Sequence, residues 1–165
     1  MTMTLHPARC GWPRFCAAAV LCWACISGHA EATVAPGSSQ RGLGFLESAV
    51  GGDPAKLGLW NHALLRPRLS ALLGKRRAFF YGNMWNTTVV SRRGSLVYVT
   101  GTRQALAGLD GAVFVADLER NSVGVWLMIS GQVFEYREQP LQQALPAEVA
   151  FFIENWRALS ALPRP

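Results

Sequence analysis

The sequence predicts an α+β domain, an antiparallel sheet of about five strands flanked by N-terminal and C-terminal helices. Three observations predict it. After Asn83 the apolar residues repeat with a period near two, and five strand candidates follow in close succession. The connections between them are too short to hold crossover helices, which makes the strands antiparallel. Helical spacing appears before this block, from Asp53 to Leu73, and after it, from Pro146 onward.

The elements follow in chain order. Asp53-Pro54 reads as a helix start, with a carboxylate to cap free amides and a proline where its missing donor costs little. Leu57, Trp60, Leu64 and Leu65 continue at helical spacing, and Pro67 breaks or restarts that helix. Leu69, Leu72 and Leu73 form a further apolar face, which Gly74 stops, and Lys75-Arg76-Arg77 then complements the helix dipole. The strand candidates run Thr87 to Ser91, Ser95 to Thr100, Ala112 to Leu118, Ser122 to Ser130 and Gln132 to Arg137. Arg92-Arg93-Gly94, Glu119-Arg120-Asn121 and Gly131 supply the turn chemistry between them. In the fourth candidate Val123, Val125, Leu127 and Ile129 occupy one face, and Trp126 and Met128 the other, so it is expected to be central and covered on both sides. The last helix carries Val149, Phe152, Ile153, Trp156 and Leu159 on one stripe, expected to dock on the sheet.

The first 30 residues have the anatomy of a secretion signal. Arg9 and Arg14 precede an apolar run from Phe15 to Ile26, and small residues surround Ser27, Gly28 and Ala30. The run is about a dozen residues, short of the roughly 20 that span a bilayer, so no permanent membrane span is expected. The organisation is therefore a signal peptide over residues 1–30, a flexible leader over 31–50 and one domain over 51–165, periplasmic or secreted. All four cysteines, Cys10, Cys16, Cys22 and Cys25, lie in the signal, so the mature chain has no thiol or disulfide and Cys22-Trp23-Ala24-Cys25 is no redox centre.

Chemistry is sparse in what remains. Of the three histidines only His62 lies beyond the signal, which leaves too few ligands for a zinc site of several His or Cys, and no metal or cofactor is expected. His62 lies in a predicted amphipathic helix, away from any nucleophile, and the acidic residues, Asp117, Glu119, Glu135 and Glu138 among them, read as scattered solvated charges. Gly42-Leu43-Gly44 lacks the rest of a dinucleotide fingerprint. Asn86-Thr87-Thr88 fits a glycosylation sequon, which matches often by chance. Without Arg9 and Arg14 the basic excess falls from six to four, too mild for a nucleic-acid protein despite the pairs Arg76-Arg77 and Arg92-Arg93. These exclusions point away from an enzyme and toward a protein-binding module, with a homodimer left open.

The order of helix, strands and then Gly101-Thr102-Arg103-Gln104-Ala105-Leu106-Ala107-Gly108 before the strand at Ala112, with Leu72-Leu73-Gly74 upstream, resembles the inhibitor of vertebrate lysozyme family. The resemblance covers about Asp53 to Trp156. It implies a periplasmic protein with an antiparallel sheet flanked by helices, and an inhibitory loop of Cys, basic residue, Pro, His, acidic residue and Cys, closed by a disulfide. Here Thr102 and Ala107 stand where the cysteines would be. Arg103 keeps the basic character, while Gln104, Ala105 and Leu106 replace the proline, the histidine and the acid. The partner-binding loop is accordingly placed at Thr102, Arg103, Gln104, Ala105 and Leu106. Its implied partner is a protein, a cell-wall hydrolase or a toxin acting on the wall, in a lysozyme-inhibitor-like or immunity-type role. The alternative is a structural or assembly protein of the envelope.

Overall fold

The computed structural model describes residues 42–103 and 109–161, so the signal, residues 31–41 of the leader, loop residues 104–108 and the last four residues lie outside it. A single antiparallel sheet carries helices on both faces. The strands are β1 (Asn86–Thr87), β2 (Ser91–Arg93), β3 (Leu96–Thr102), β4 (Gly111–Asp117), β5 (Ser122–Ile129) and β6 (Gln132–Arg137). They lie in the order β1-β3-β4-β5-β6, with β2 also on β3. The helices α1 (Leu65–Leu73) and α2 (Arg77–Asn83) precede the sheet and α3 (Ala147–Ser160) follows it.

The alternation along β5 decides how the layers form. Val123, Val125 and Leu127 lie in a core with Leu65, Leu69 and Phe80 of α1 and α2. Trp126 and Met128, on the opposite face, lie in a second core with Val149, Ile153 and Trp156 of α3. Every residue of β4 is buried, as expected of a strand covered on both faces. The two faces are closed by different parts of the chain, the earlier helices on one and the C-terminal helix on the other.

The local departures from the sequence reading have physical causes. Residues 43–49, assigned to the leader, form a 3-10 helix that buries Leu43 and Leu46, so the folded region takes in residues before 51. Asp53 does cap, its Oδ1 accepting from the Ala55 N–H at 2.8 Å, yet no regular helix follows. Gly58 turns left-handed at φ 60, a 3-10 turn follows at Leu59–Asn61, and Leu57 stays half exposed. Pro67 sits in the first turn of α1, where its missing donor breaks nothing. Gly74 ends α1 at φ 51, but the chain re-enters a helix at once, so the basic run opens α2 instead of trailing off α1. The first strand candidate is split into β1 and β2. Between them Val90 pairs with the backbone of Gly51 and Gly52, at 2.8 and 2.9 Å, which draws the chain off the sheet.

Carboxylates expected to be solvated are structural. Asp117 is buried and accepts from the Arg120 N–H at 3.2 Å, holding the β4–β5 turn. Glu138 takes a bidentate contact from Arg68 at 2.9 and 2.5 Å and accepts the Val123 N–H at 2.9 Å. The same guanidinium reaches Asn121 Oδ1 at 2.9 Å, which ties α1 to the β4–β5 turn and the end of β6. Glu135 accepts the Trp126 indole N–H at 3.0 Å and pairs with Arg157 of α3 at 3.1 Å.

The N-terminal turn of α3 is fastened by the Tyr98 hydroxyl, which donates to Glu148, with Arg93 at 3.9 Å from the same carboxylate. The hydrogen bond from Tyr98, together with a backbone bond and Arg93, holds Glu148 below the usual carboxylate range. Burial, then the bond to Glu148 and its charge, push Tyr98 above the usual phenol range. Both shifts have a pH signature. The depressed Glu148 adds stability above the ordinary glutamate pKa, lost as pH falls through the lower folded value. The raised Tyr98 adds stability below the ordinary tyrosine pKa, lost as pH rises through the higher folded value. Denaturation midpoints of Tyr98→Phe should therefore match the parent more closely at pH 3 than at pH 7. A constant gap across that range would show that the hydroxyl does not hold Glu148.

Candidate functional site

The loop between β3 and β4 leaves the sheet at one end, and the structure shows how its stem is built. Thr102 is paired with Asn86 of β1 on one side and Gly111 of β4 on the other. Beyond it the Arg103 N–H reaches the Asp110 carbonyl at 3.4 Å, and the Arg103 guanidinium lies 3.7 Å from the Asp110 carboxylate. Asp110 is buried, and its Oδ1 also accepts the Ser130 N–H at 2.6 Å. The Gly131 N–H donates to the Leu109 carbonyl at 2.8 Å. Ser130 and Gly131 both adopt positive φ, 49° and 70°, the geometry of a tight two-residue hairpin between β5 and β6. The loop stem is thus bolted to the neighbouring hairpin by two bonds from backbone N–H groups.

Two glycines let the flanking helices close in beneath this stem. A Cβ on Gly101 would meet the Asn83 carbonyl at 2.8 Å, and a Cβ on Gly111 would meet Trp156 Cζ2 at 2.3 Å. Glycine is required at both, because the end of α2 lies against one face of the sheet here and α3 against the other. Asn83, buried at the end of α2, donates from Nδ2 to the carbonyls of Gly111 at 2.8 Å and Met128 at 3.1 Å.

Of the five sequence-predicted site residues, the structure places Thr102 and Arg103; Gln104, Ala105 and Leu106 lie outside the described residues. Arg103, expected as the loop's one charged contact, is half exposed and already shared with Asp110. The same end of the sheet presents two apolar side chains that the sequence reading did not single out. Leu109 is 55% exposed beside Asp110, and Trp85, 76% exposed, precedes the β1 residue paired with Thr102. A tryptophan between Met84 and a glycosylation-like sequon carries no sequence signal of exposure; its exposure goes with its place between the end of α2 and β1.

Among the described residues, His62 lies in structural contacts. His62 follows the Leu59–Asn61 turn instead of lying within a longer helix. Its ring stacks on Phe45 at 3.6 Å and its Nδ1 accepts the Leu64 N–H at 3.3 Å. Among the described residues no three His, Cys, Asp or Glu gather as metal ligands, and no helix is long and apolar enough to cross a membrane.

The family model described as inhibitor of vertebrate lysozyme matches residues 65–159, from the start of α1 to the last turn of α3. The chain belongs to the inhibitor of vertebrate lysozyme family. That is a family of inhibitors, proteins that bind a hydrolase, and the chain is a lysozyme-inhibitor-like, protein-binding member of it. No curated protein and no solved structure matches the chain. The matched residues include Thr102 and Ala107, the two positions at which the resemblance implies cysteines, and neither is a cysteine. The contacts of Arg103 and Leu109–Asp110 close the stem a few residues further out.

Proposed function

We propose that the chain is exported and neutralises a cell-wall hydrolase, or a toxin with that activity, by docking the β3–β4 loop end of the sheet on it. The observation that carries this reading is the family match, which spans the loop and the helices that support it. Export is supported by the basic, apolar and small-residue order of the first 30 residues. The contact surface consists of Arg103, the loop residues Gln104, Ala105 and Leu106, and the exposed Trp85 and Leu109 at its edge. Aromatic and arginine side chains are the usual hot spots of such surfaces.

The target differs from vertebrate-type lysozyme. A loop with Ala105 in the histidine position offers that cleft no imidazole, and without the disulfide more ordering entropy is lost on binding. Purified mature protein used as bait in periplasm, or in extracts of competitor cells, should retain a wall-degrading enzyme and suppress its activity. With that enzyme in hand, Leu106→Ala and Trp85→Ala should each weaken binding by about 2 kcal/mol or more in calorimetry. Unchanged affinity in both, with folding intact, would remove this end of the sheet from the interface. Strong inhibition of a vertebrate-type lysozyme would refute the reassigned target.

A further inference from the structure

The ion pairs of the described residues take up Arg68, Arg92, Arg93, Arg103, Arg137 and Arg157. None takes up Arg66, Lys75 or Arg77. These three cations line one open cleft of about 600 Å³, together with Trp60, Asn61 and Tyr81, and no carboxylate is among its lining residues. Lys75 and Arg77 belong to one basic run, and Arg66 joins them from nine residues before it. The left-handed Gly74 reverses the chain between α1 and α2 and so returns Lys75 and Arg77 to the side where Arg66 opens α1. Gathering three like charges without a counter-ion costs repulsion, which a bound anion relieves.

A second observation concerns the wall of the cleft. Trp60 is more than nine-tenths buried, yet its indole N–H has no acceptor among the described residues. Buried donors without partners are uncommon and call for an explanation. Trp60, Asn61 and Tyr81 also line an adjoining open cleft of about 360 Å³, whose further walls include Met84 and Trp85. A groove that begins with cations and continues past an amide, a phenol and indole rings suits a molecule with an acid group at one end and alternating hydroxyls and flat C–H faces beyond it. A small inorganic anion would leave the aromatic branch unused. A fatty acid would need an enclosed apolar tunnel instead of an open groove with three cations at one end.

We propose that this cleft is an anionic-saccharide site, with Arg66, Lys75 and Arg77 on the acid group, Asn61 on hydroxyls, and Tyr81 and Trp85 against the sugar faces. The site does not rest on the hydrolase reading: its charged end, Arg66, Lys75 and Arg77, belongs to α1 and the start of α2, and only Trp85 is shared with the proposed hydrolase surface. The test is calorimetric titration of the purified protein at low salt with two acidic probes, trigalacturonate and the N-acetylglucosamine–N-acetylmuramic acid disaccharide. Maltotriose and inorganic phosphate serve as the neutral and the sugar-free controls. At least one acidic saccharide should bind about tenfold or more tightly than either control, and the double variant Arg66→Gln, Lys75→Gln should lose about tenfold in affinity. Both side chains are exposed and outside any ion pair, so folding should be unaffected; Tyr81→Leu tests the aromatic branch independently. Nuclear magnetic resonance titration should move the Trp60 indole N–H signal. Binding of phosphate as tightly as the saccharides, absence of binding by both acidic probes, or unchanged affinity in the double variant would each overturn the assignment. Capture of the hydrolase should be the same for the double variant as for the parent.

Discussion

Trp156→Ala should lower the stability of the domain by about 3–5 kcal/mol, the range for truncating a large aromatic side chain in a core. Trp156 is 3% exposed, at a tilt to Phe152 with ring centroids 4.6 Å apart. Its indole lies directly on the β4 backbone at Gly111, where even a Cβ would come within 2.3 Å of Cζ2. A strand backbone has no side chain to swing into the space left behind, so the cavity stays open and its full cost is felt. The effect also reaches the candidate site, since Gly111 is paired with Thr102 at the loop stem. Phe151, earlier on the same helix, is 71% exposed, and Phe151→Ala should change stability by no more than about 0.5 kcal/mol. If Trp156→Ala costs less than about 1 kcal/mol, α3 does not close the second face of the sheet.

That helix was among the most legible parts of the sequence, because periodicity records burial on a regular element. Val149, Ile153 and Trp156 of its stripe are buried, while Phe152 is half-buried and Leu159 is 41% exposed at the helix end. The double alternation of β5 was legible for the same reason and places it inside the sheet, between β4 and β6. Elements defined by long-range contact were not. The α2 segment has Phe79 exposed beside Phe80 fully buried, a pairing of like residues that no period distinguishes. Leu43 and Leu46 are buried in the core with α1 and α2, and Asn121 Oδ1, distant in sequence, accepts the Leu43 N–H at 3.1 Å. At the loop end, the family resemblance located the loop, but its stem depends on Asp110, Ser130 and Leu109, whose meeting follows from sheet register alone. The basic cleft is hidden in sequence because Arg66 and Arg77 become neighbours of one space only after the chain turns at Gly74.

Asn83 is the polar residue on which this end of the sheet depends most, and Asn83→Asp should show it. Its Nδ2 bridges the carbonyls of Gly111 and Met128, and a group with two acceptors in front of it must present its amide hydrogens. The residue is 1% exposed, so water cannot take over either bond. Asn83→Ala removes two hydrogen bonds and leaves two buried carbonyls short, an expected loss of about 2–3 kcal/mol. Asn83→Asp keeps the shape but sets a carboxylate against those same carbonyls, with burial and repulsion both opposing the charge, and should cost about 3–5 kcal/mol at pH 7. The sign of its pH dependence follows. Burial raises the folded-state pKa of the introduced acid above its unfolded value of about 3.9, so the unfolded chain gives up its proton first and stability falls as pH rises through that window. Near pH 4 the protonated carboxyl can still donate to one carbonyl, and Asn83→Asp should approach Asn83→Ala in stability. Urea denaturation of parent and both variants at pH 4 and pH 7 gives the four differences required. An Asp variant no less stable than the Ala variant at pH 7, or equally destabilised relative to the parent at both pH values, would mean that Asn83 does not join α2 to the ends of β4 and β5 beneath the loop.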